Sequence, residues 1–350
     1  MPLLTTCIGA YPKPDFVRIP DWFNLSAGPD TARPTLLWTR AIAEMGEDLN
    51  EIVDLGVRQA ITDQVEAGID IPTDGEIIRE NYVHYYCRQL NGFDFDNLTE
   101  KSLRNGAYTT SLPTITGPVS LKAPFLADEW KLAQRHTAKS LKITLPGPLT
   151  ISDTSADTFY NDPKRLGRDV AIALNKDILA LADAGCVHIQ IDEPLFARKP
   201  LDAIEFGMEN IERAFHGCPD SVVRTLHICC GYPDRIDNPD YPKADRDSYM
   251  KIAGAVEQSS INAVSIEDAH RHNDLALLEC FPSTTVILGA VAIAKSRIES
   301  VDEIRERLVA ALEHIDSERL IAAPDCGLGL LTREQAVAKL TNLSLAARSV

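Results

Sequence analysis

The residues in this sequence best suited to chemistry are a histidine and a cysteine two positions apart, His227 and Cys229. They lie at the end of a β-branched run, where side chains alternate, so both point to one side and Cys230 to the other. An imidazole and a thiolate form the borderline-soft donor pair that suits zinc. We therefore predict a zinc site that includes His227 and Cys229 and excludes Cys230.

Two donors do not complete a site, so other segments must supply the rest. Cys326 and Glu267 each follow another β-like run. Three nitrogen and sulfur ligands with one replaceable carboxylate describe a catalytic zinc with an exchangeable position. A single buried cysteine is usually a small hydrophobe, so the prediction depends on the joint placement of these residues. No Cys-x2-Cys pair of the structural-zinc type is present, and the remaining cysteines are interpreted as structural: Cys7, Cys87, Cys186, Cys218 and Cys280.

The chemistry expected of such a zinc is specific. Because two of its ligands are already anionic thiolates, the ion is a poor activator of water. It can still bind an incoming thiol, lower the pKa of that thiol and hold it as a nucleophilic thiolate. The donor set therefore favours thiol alkylation over hydrolysis.

These residues need a scaffold that brings distant segments to one face. Short β-branched runs alternate with amphipathic helical segments, which is typical of parallel β-α units, and eight units favour a closed α/β barrel, the (β/α)8 TIM barrel. Residues 92–126, rich in Gly, Pro and Asn, predict an excursion between strands 2 and 3, within one domain that spans residues 1–350. The runs cover residues 4–8, 69–71, 141–145, 187–191, 222–228, 263–266, 285–288 and 320–323.

The polar residues follow the predicted strands at one end. In barrel enzymes the C-terminal strand ends form the active-site face. All but the seventh strand deliver a carboxylate, thiol, imidazole or Gly/Pro turn there, which predicts an active site on this face. The segments are Gly9-Ala10-Tyr11-Pro12, Asp74-Gly75-Glu76, Pro146-Gly147-Pro148, Asp192-Glu193-Pro194, His227-Ile228-Cys229, Glu267 and Asp325-Cys326-Gly327.

Composition limits the class of partner. The 350 residues are 45% hydrophobic and 25% charged, an ordinary globular balance, and the formal net charge is -16. Such a charge repels nucleic acid and anionic lipid, and no stretch approaches the roughly 18–20 apolar residues of a membrane span. The first residues, Met1-Pro2-Leu3-Leu4-Thr5-Thr6, have no basic n-region and no long apolar run, so we expect no secretory signal. We expect a cytoplasmic protein that acts on small molecules, with its thiols reduced.

Together these motifs resemble the cobalamin-independent methionine synthase family, in its catalytic C-terminal barrel, over nearly the whole chain. The resemblance implies a methyltransferase of methionine biosynthesis, with a methyl-folate or other methyl donor and homocysteine as acceptor. It is carried by Thr5-Thr6-Cys7-Ile8-Gly9-Ala10-Tyr11-Pro12, Thr73-Asp74-Gly75-Glu76, Leu145-Pro146-Gly147-Pro148, Gln190-Ile191-Asp192-Glu193-Pro194, His227-Ile228-Cys229, Ser265-Ile266-Glu267 and Pro324-Asp325-Cys326-Gly327-Leu328.

The resemblance also implies roles for individual residues. Glu76 and Asp192 are expected to hold the ammonium group of the acceptor and to act in catalysis. The turn Ile8-Gly9-Ala10 is expected beside the carboxylate of the acceptor, where Gly9 lets backbone N–H groups approach. The implied zinc ligands are His227, Cys229, Glu267 and Cys326.

Several positions depart from the family pattern on the donor side. The sequence holds one barrel where the long enzymes have two, and Ala10 stands where the family usually has serine. Thr154 replaces a tryptophan that stacks on the pterin, Ala294 replaces a catalytic histidine, and Gly329 replaces a lysine. We therefore predict that recognition of the methyl donor differs, and a protein that delivers the methyl group is a candidate partner. The alternative is that Tyr82, Tyr85 or Tyr160 supplies a substitute platform for the pterin.

Three other interpretations remain open at this stage. One is a zinc thiol transferase that uses another thiol or electrophile, as the epoxyalkane:coenzyme M transferases do. Another is a metal-free decarboxylase of the uroporphyrinogen type, against which stoichiometric zinc would count. The third is a non-catalytic zinc-stabilised binding protein, which chelation would unfold.

Overall fold

The computed structural model describes residues 2–23, 32–103, 108–239 and 241–350. Its strands are β1 (Leu4–Thr5), β2 (Leu90–Leu103), β3 (Tyr108–Leu121), β4 (Lys142–Pro146), β5 (Ala156–Asp157), β6 (His188–Asp192), β7 (Val223–Ile228), β8 (Ala263–Ile266), β9 (Thr285–Val291) and β10 (Leu320–Pro324). Its helices are α1 (Ala32–Met45), α2 (Leu49–Glu66), α3 (Tyr82–Cys87), α4 (Leu126–Gln134), α5 (Pro148–Asp153), α6 (Pro163–Ala184), α7 (Leu195–Arg198), α8 (Pro200–Asp202), α9 (Met208–Ala214), α10 (Ser248–Glu257), α11 (Val301–Ala311) and α12 (Arg333–Arg348). Short 3-10 helices cover Gly46–Asp48, Leu275–Cys280 and Ser317–Arg319, and a π-helical turn covers Ala203–Gly207.

Seven parallel strands form a curled sheet in the order β1-β10-β9-β8-β7-β6-β4. Residues 69–73 lie between β1 and β4 and make single parallel bridges, Thr6 to Ile71 and Thr73 to Lys142. This segment is the eighth member, so the predicted (β/α)8 barrel is confirmed. The second strand is reduced to bridges because Pro72, at its centre, has no N–H for the ladder.

Both faces of the barrel sheet are buried, which explains why its strands are nearly continuous apolar runs. A small cluster of Ile8, Ala263, Ile287 and Ala323 fills part of the barrel interior, and the larger core lies between the strands and the outer helices. Local signals bound the longest helix, α6. The side chain of Asp162 caps its first turn, and Gly185, with φ of 102°, ends it.

The excursion between the second and third barrel strands is an antiparallel hairpin of β2 and β3, joined by the short β5. Its connecting residues 104–107 lie outside the described residues. The hairpin brings Lys101 and Leu103 to the wall of a cavity at the C-terminal strand ends. The inserted segment therefore enlarges the active-site face.

Among the described residues, no helix combines the length and the apolar character that crossing a membrane requires.

Candidate active site

A cavity of about 570 Å³ opens at the C-terminal ends of the barrel strands. Eight of the nine residues predicted from the sequence line it, and Glu267 is the exception. The eight are Ile8, Gly9, Ala10, Glu76, Asp192, His227, Cys229 and Cys326.

One histidine and two cysteines form the candidate metal group. Nε2 of His227 lies 3.5 Å from Sγ of Cys326, and one donor atom each from His227, Cys229 and Cys326 lie within 4.8 Å of one another. Nδ1 of His227 pairs with Oγ of Ser265 at 2.9 Å, so Nε2 is the nitrogen that faces the sulfurs. Two sulfurs and one nitrogen around a common point fit a catalytic zinc with one position left for another ligand.

The two thiols are also electrostatically linked. A hydrogen bond from the thiol of Cys326 lowers the pKa of Cys229, and the nearby imidazole of His227 acts in the same direction. The same contact raises the pKa of Cys326, so the pair favours one thiolate, at Cys229, with Cys326 as the thiol that donates to it.

Glu267 lies beside this group without joining it. Its Oε2 accepts a hydrogen bond of 3.0 Å from the backbone N–H of Cys230, and its Oε1 accepts one from Nζ of Lys243. The carboxylate is buried. Its role as a fourth ligand remains a prediction.

Cys230 packs in the core between the barrel and its helices, and burial raises its pKa. Since the side chain is directed away from the metal group, we expect Cys230→Ala to retain bound zinc at about the wild-type stoichiometry. Metal analysis of the purified variant, alongside a circular-dichroism spectrum, measures this. Loss of zinc from a normally folded Cys230→Ala protein would contradict the assigned orientation.

Glu76 and Asp192 present two buried carboxylates to the cavity. Oε1 of Glu76 accepts a hydrogen bond of 2.6 Å from Oγ1 of Thr144 and lies 3.5 Å from Nη1 of Arg79. Oδ1 of Asp192 accepts a hydrogen bond of 2.7 Å from Nε2 of Gln190. Among the described residues, Asp192 has no salt bridge. Burial raises the pKa of Asp192 to about 7. A buried carboxylate with spare acceptor capacity suits a cationic ligand such as an ammonium group.

The turn after β1 lies directly against the carboxylate of Glu76. A Cβ at Gly9 would stand 2.5 Å from Oε1 of Glu76, so the close approach requires glycine. The turn is held on both sides, because Gln190 donates to the carbonyl of Ile8 at 2.8 Å and Leu328 donates its N–H to the carbonyl of Ala10 at 2.7 Å.

Glu193 has a structural role, although the sequence groups it with Asp192. Its carboxylate accepts three hydrogen bonds. They come from the N–H of Leu149 at 2.7 Å, the N–H of Thr150 at 3.0 Å and Oγ1 of Thr150 at 2.7 Å. A Cβ at Gly147 would stand 2.2 Å from Glu193. The Pro-Gly-Pro turn therefore receives this carboxylate and supports the cavity floor.

The cavity also has an aromatic wall, made of Trp22, Phe23, Tyr82 and Tyr232. Of the three tyrosines expected as substitute platforms, only Tyr82 lines the cavity, and the other three rings of the wall were not predicted. The Trp22 ring centroid lies 5.6 Å from Phe23 and 5.8 Å from Tyr82, and that of Phe23 lies 5.3 Å from Tyr232. These residues come from three separate segments, so no local spacing could have indicated them. The cavity also has a basic rim of Lys101, Arg198, Lys199 and Lys243.

Thr154 and Ala294, which stand where the family has a stacking tryptophan and a catalytic histidine, lie in different surroundings. Thr154 lines the cavity, and its carbonyl oxygen lies 3.2 Å from Nε2 of His84. Ala294 is buried and donates its N–H to Nε2 of His270 at 3.1 Å. Neither position supplies a ring or an imidazole to the cavity.

Comparison with known proteins places this geometry in context. The profile of the family described as "Cobalamin-independent synthase, Catalytic domain" matches residues 29–211 and 244–349. The interval that the profile leaves out contains β7, His227 and Cys229.

Individual relatives match over almost the whole chain. The methionine synthase of Sulfolobus acidocaldarius is 30% identical over 342 residues, which cover 97% of this chain and 90% of that protein. The methionine synthase of Thermococcus kodakarensis is 28% identical and covers 98% of this chain and 92% of its own. A B12-independent methionine synthase from Shewanella sp. W3-18-1, solved in complex with selenomethionine, superposes with a TM-score of 0.85 at 29% identity, covering 99% of this chain and 97% of that one.

Proposed function

The chain belongs to the cobalamin-independent methionine synthase family and is a methyltransferase; from that premise we propose that it is zinc-dependent and methylates the thiol of homocysteine. The observation that carries the proposal is the shared cavity. The donor group of His227, Cys229 and Cys326 and the two carboxylates of Glu76 and Asp192 open into the same space. The selenomethionine complex of the Shewanella relative supports an amino-acid ligand here.

His227, Cys229 and Cys326 would hold the zinc, with Glu267 as a labile fourth ligand. A zinc ion held by these residues would lower the pKa of an acceptor thiol and so make a thiolate available at neutral pH. Ser265 orients the imidazole of His227 through its hydrogen bond to Nδ1. In the transfer the sulfur lone pair would form the new S–CH3 bond while the bond between the methyl group and the donor breaks. The donor would keep that electron pair and take up, through solvent, the proton that the thiol released.

The two carboxylates of the cavity would orient the acceptor. Asp192 and Glu76 would receive its ammonium group, and the turn at Gly9 and Ala10 would lie beside its carboxylate. Fixing the amino-acid end in this way places the sulfur at the metal group, which lowers the entropic cost of reaching the transition state. A sulfonate thiol has no ammonium group and would forgo these contacts.

We propose that the methyl group comes from a methyl-folate or from another small methyl donor, which enters through the open side of the cavity. Thr154 offers no ring on which a pterin could stack, whereas the aromatic wall of Trp22, Phe23, Tyr82 and Tyr232 faces the same space. The basic rim could bind an anionic donor or a protein that delivers the methyl group.

The proposal is tested by offering the protein a panel of thiols and methyl donors. We expect methionine to form from homocysteine, and turnover to be slow when free methyl-folate is the donor. Base–aromatic stacking contributes about 1–3 kcal/mol, so a missing platform should weaken donor binding by about tenfold or more. The measurement is mass spectrometry of alkylated thiols, with methyl-folate carrying one or several glutamates and with or without cell extract.

Each outcome of the panel has a consequence. Absence of methionine with every donor, or full activity of zinc-free protein, would contradict the proposed function. Efficient turnover with free methyl-folate alone would contradict only the donor prediction, and Trp22→Ala would then test the aromatic wall as the platform.

A further inference from the structure

A buried arginine lies directly behind one of the two cavity carboxylates. Nη1 of Arg79 stands 3.5 Å from Oε1 of Glu76, and Nη2 stands 3.8 Å from Oδ2 of Asp74. Arg79 is only 3% exposed. Among the described residues Glu76 lines the cavity and Arg79 does not. The guanidinium therefore acts on a bound acceptor only through Glu76.

Thr144, on β4, connects the two side chains. Nη1 of Arg79 donates hydrogen bonds to the carbonyl oxygen of Thr144 at 3.0 Å and to its Oγ1 at 3.1 Å. The same hydroxyl donates to Oε1 of Glu76 at 2.6 Å. A hydroxyl that accepts from a cation becomes a stronger donor, so this chain of bonds favours the ionised carboxylate. It also fixes Oε1, which leaves Oε2 for the ammonium group.

The backbone of Glu76 is held in a conformation that a residue with a side chain rarely adopts. Gly75 and Glu76 have φ of 75° and 56°, so two consecutive residues lie in the left-handed region. The N–H of Glu76 donates to Oδ1 of Asp74 at 3.1 Å, and the N–H of Arg79 donates to the carbonyl of Glu76 at 3.0 Å. Strain of this kind persists where surrounding contacts fix a residue for function. Arg79 supports Glu76 through the backbone as well as through the side chain.

The charges around Glu76 show what the guanidinium contributes. The carboxylates of Asp74 and Asp192 and the ammonium of Lys13 also act on Glu76, but Lys13 is already paired with another carboxylate. Burial raises the pKa of Glu76, and Arg79 is the strongest influence in the opposite direction. Without Arg79, burial and two like charges would favour the protonated, neutral form of Glu76.

We propose that Arg79 is a positioning residue for the acceptor, which directs Glu76 through Thr144 toward the ammonium group and keeps that carboxylate ionised. This inference rests on the acceptor site proposed above, in which Glu76 and Asp192 receive the ammonium. Arg79 is the permanent counter-charge that allows a second carboxylate to stay negative in an enclosed space. The acceptor then meets a carboxylate that is already oriented, which reduces the entropic cost of binding.

The test is calorimetric titration of zinc-loaded protein with L-methionine, the expected product, which carries the ammonium group but no thiol to deprotonate. We expect Arg79→Met to bind methionine about tenfold more weakly or worse at neutral pH, because Glu76 is then largely protonated. Between about pH 6 and 8 the loss should shrink as the pH rises and Glu76 ionises. Arg79→Met should cost little further affinity once Glu76→Gln is present, and zinc content should stay at the wild-type value.

Three further variants isolate the path through Thr144. Thr144→Val removes the hydroxyl at nearly constant shape and should reproduce part of the loss. Thr144→Ser retains the hydroxyl and should bind methionine as the wild type does. Arg297→Met removes an exposed arginine that pairs with Glu303 through two hydrogen bonds, and it should change nothing.

Wild-type methionine affinity in Arg79→Met, or an equal loss with and without the carboxylate of Glu76, would overturn the inference. If Arg79→Met does not fold, Thr144→Val decides, since wild-type affinity with an unchanged pH dependence there would also overturn it. Failure of the wild-type protein to bind either methionine or homocysteine would instead contradict the proposed function itself.

Discussion

Replacing Cys229 or Cys326 by serine is expected to remove bound zinc and methyl transfer together. Each sulfur lies within 4.8 Å of the other two donor atoms, so the site would keep only two of its three nitrogen and sulfur ligands. The loss of metal affinity should exceed the roughly 10- to 100-fold cost of changing an outer contact of a zinc ligand. Metal analysis and the methionine assay on the same preparations measure both effects.

Cys280→Ser is the matched control for these two variants. Its thiol lies near the sulfur of Met250 and does not belong to the candidate metal group, so zinc and activity should both remain. Full zinc occupancy in Cys229→Ser and Cys326→Ser would refute the assignment of this group as the metal site.

Asp192→Asn is expected to weaken homocysteine binding strongly while zinc remains bound. Removing one charge of a buried pair costs about 2–5 kcal/mol, which corresponds to roughly 30- to 4,000-fold in affinity. Calorimetric titration of zinc-loaded protein with homocysteine measures the change. Asp245→Asn, at an exposed carboxylate on the cavity rim, is the control and should have little effect.

The pH dependence of homocysteine affinity tests the role of Asp192 independently. Burial raises the pKa of Asp192 to about 7, so the ionised form that receives an ammonium exists above that pH and is lost below it. Acceptor affinity in the wild type should therefore fall as the pH drops through about 7, and Asp192→Asn should lack this component. An identical profile in both proteins would show that Asp192 does not contact the ammonium group.

Local pattern was sufficient to predict the barrel and the convergence of His227, Cys229 and Cys326 on one face. Strand alternation places His227 and Cys229 on one side, and the structure brings both close to Cys326, 99 residues away from His227. This prediction works because parallel strands of a closed barrel all end on one face, so residues that follow different strands must converge. The same rule located Glu76 and Asp192 at the cavity.

Only the tertiary structure decided how neighbouring polar residues divide their roles. Asp192 and Glu193 are adjacent carboxylates, yet one faces the cavity and the other accepts three hydrogen bonds from Leu149 and Thr150. Sequence reasoning could not separate them, because their partners come from another β-α unit.

The surroundings of Glu267 were equally beyond the sequence. Its carboxylate follows β8 as the barrel rule predicts, but its hydrogen bonds depend on a loop from the preceding unit that brings Lys243 back over Cys230. Strand periodicity determines which side of a strand a residue occupies. The partner that a buried charge meets there depends on the path of long loops, which no local repeat encodes.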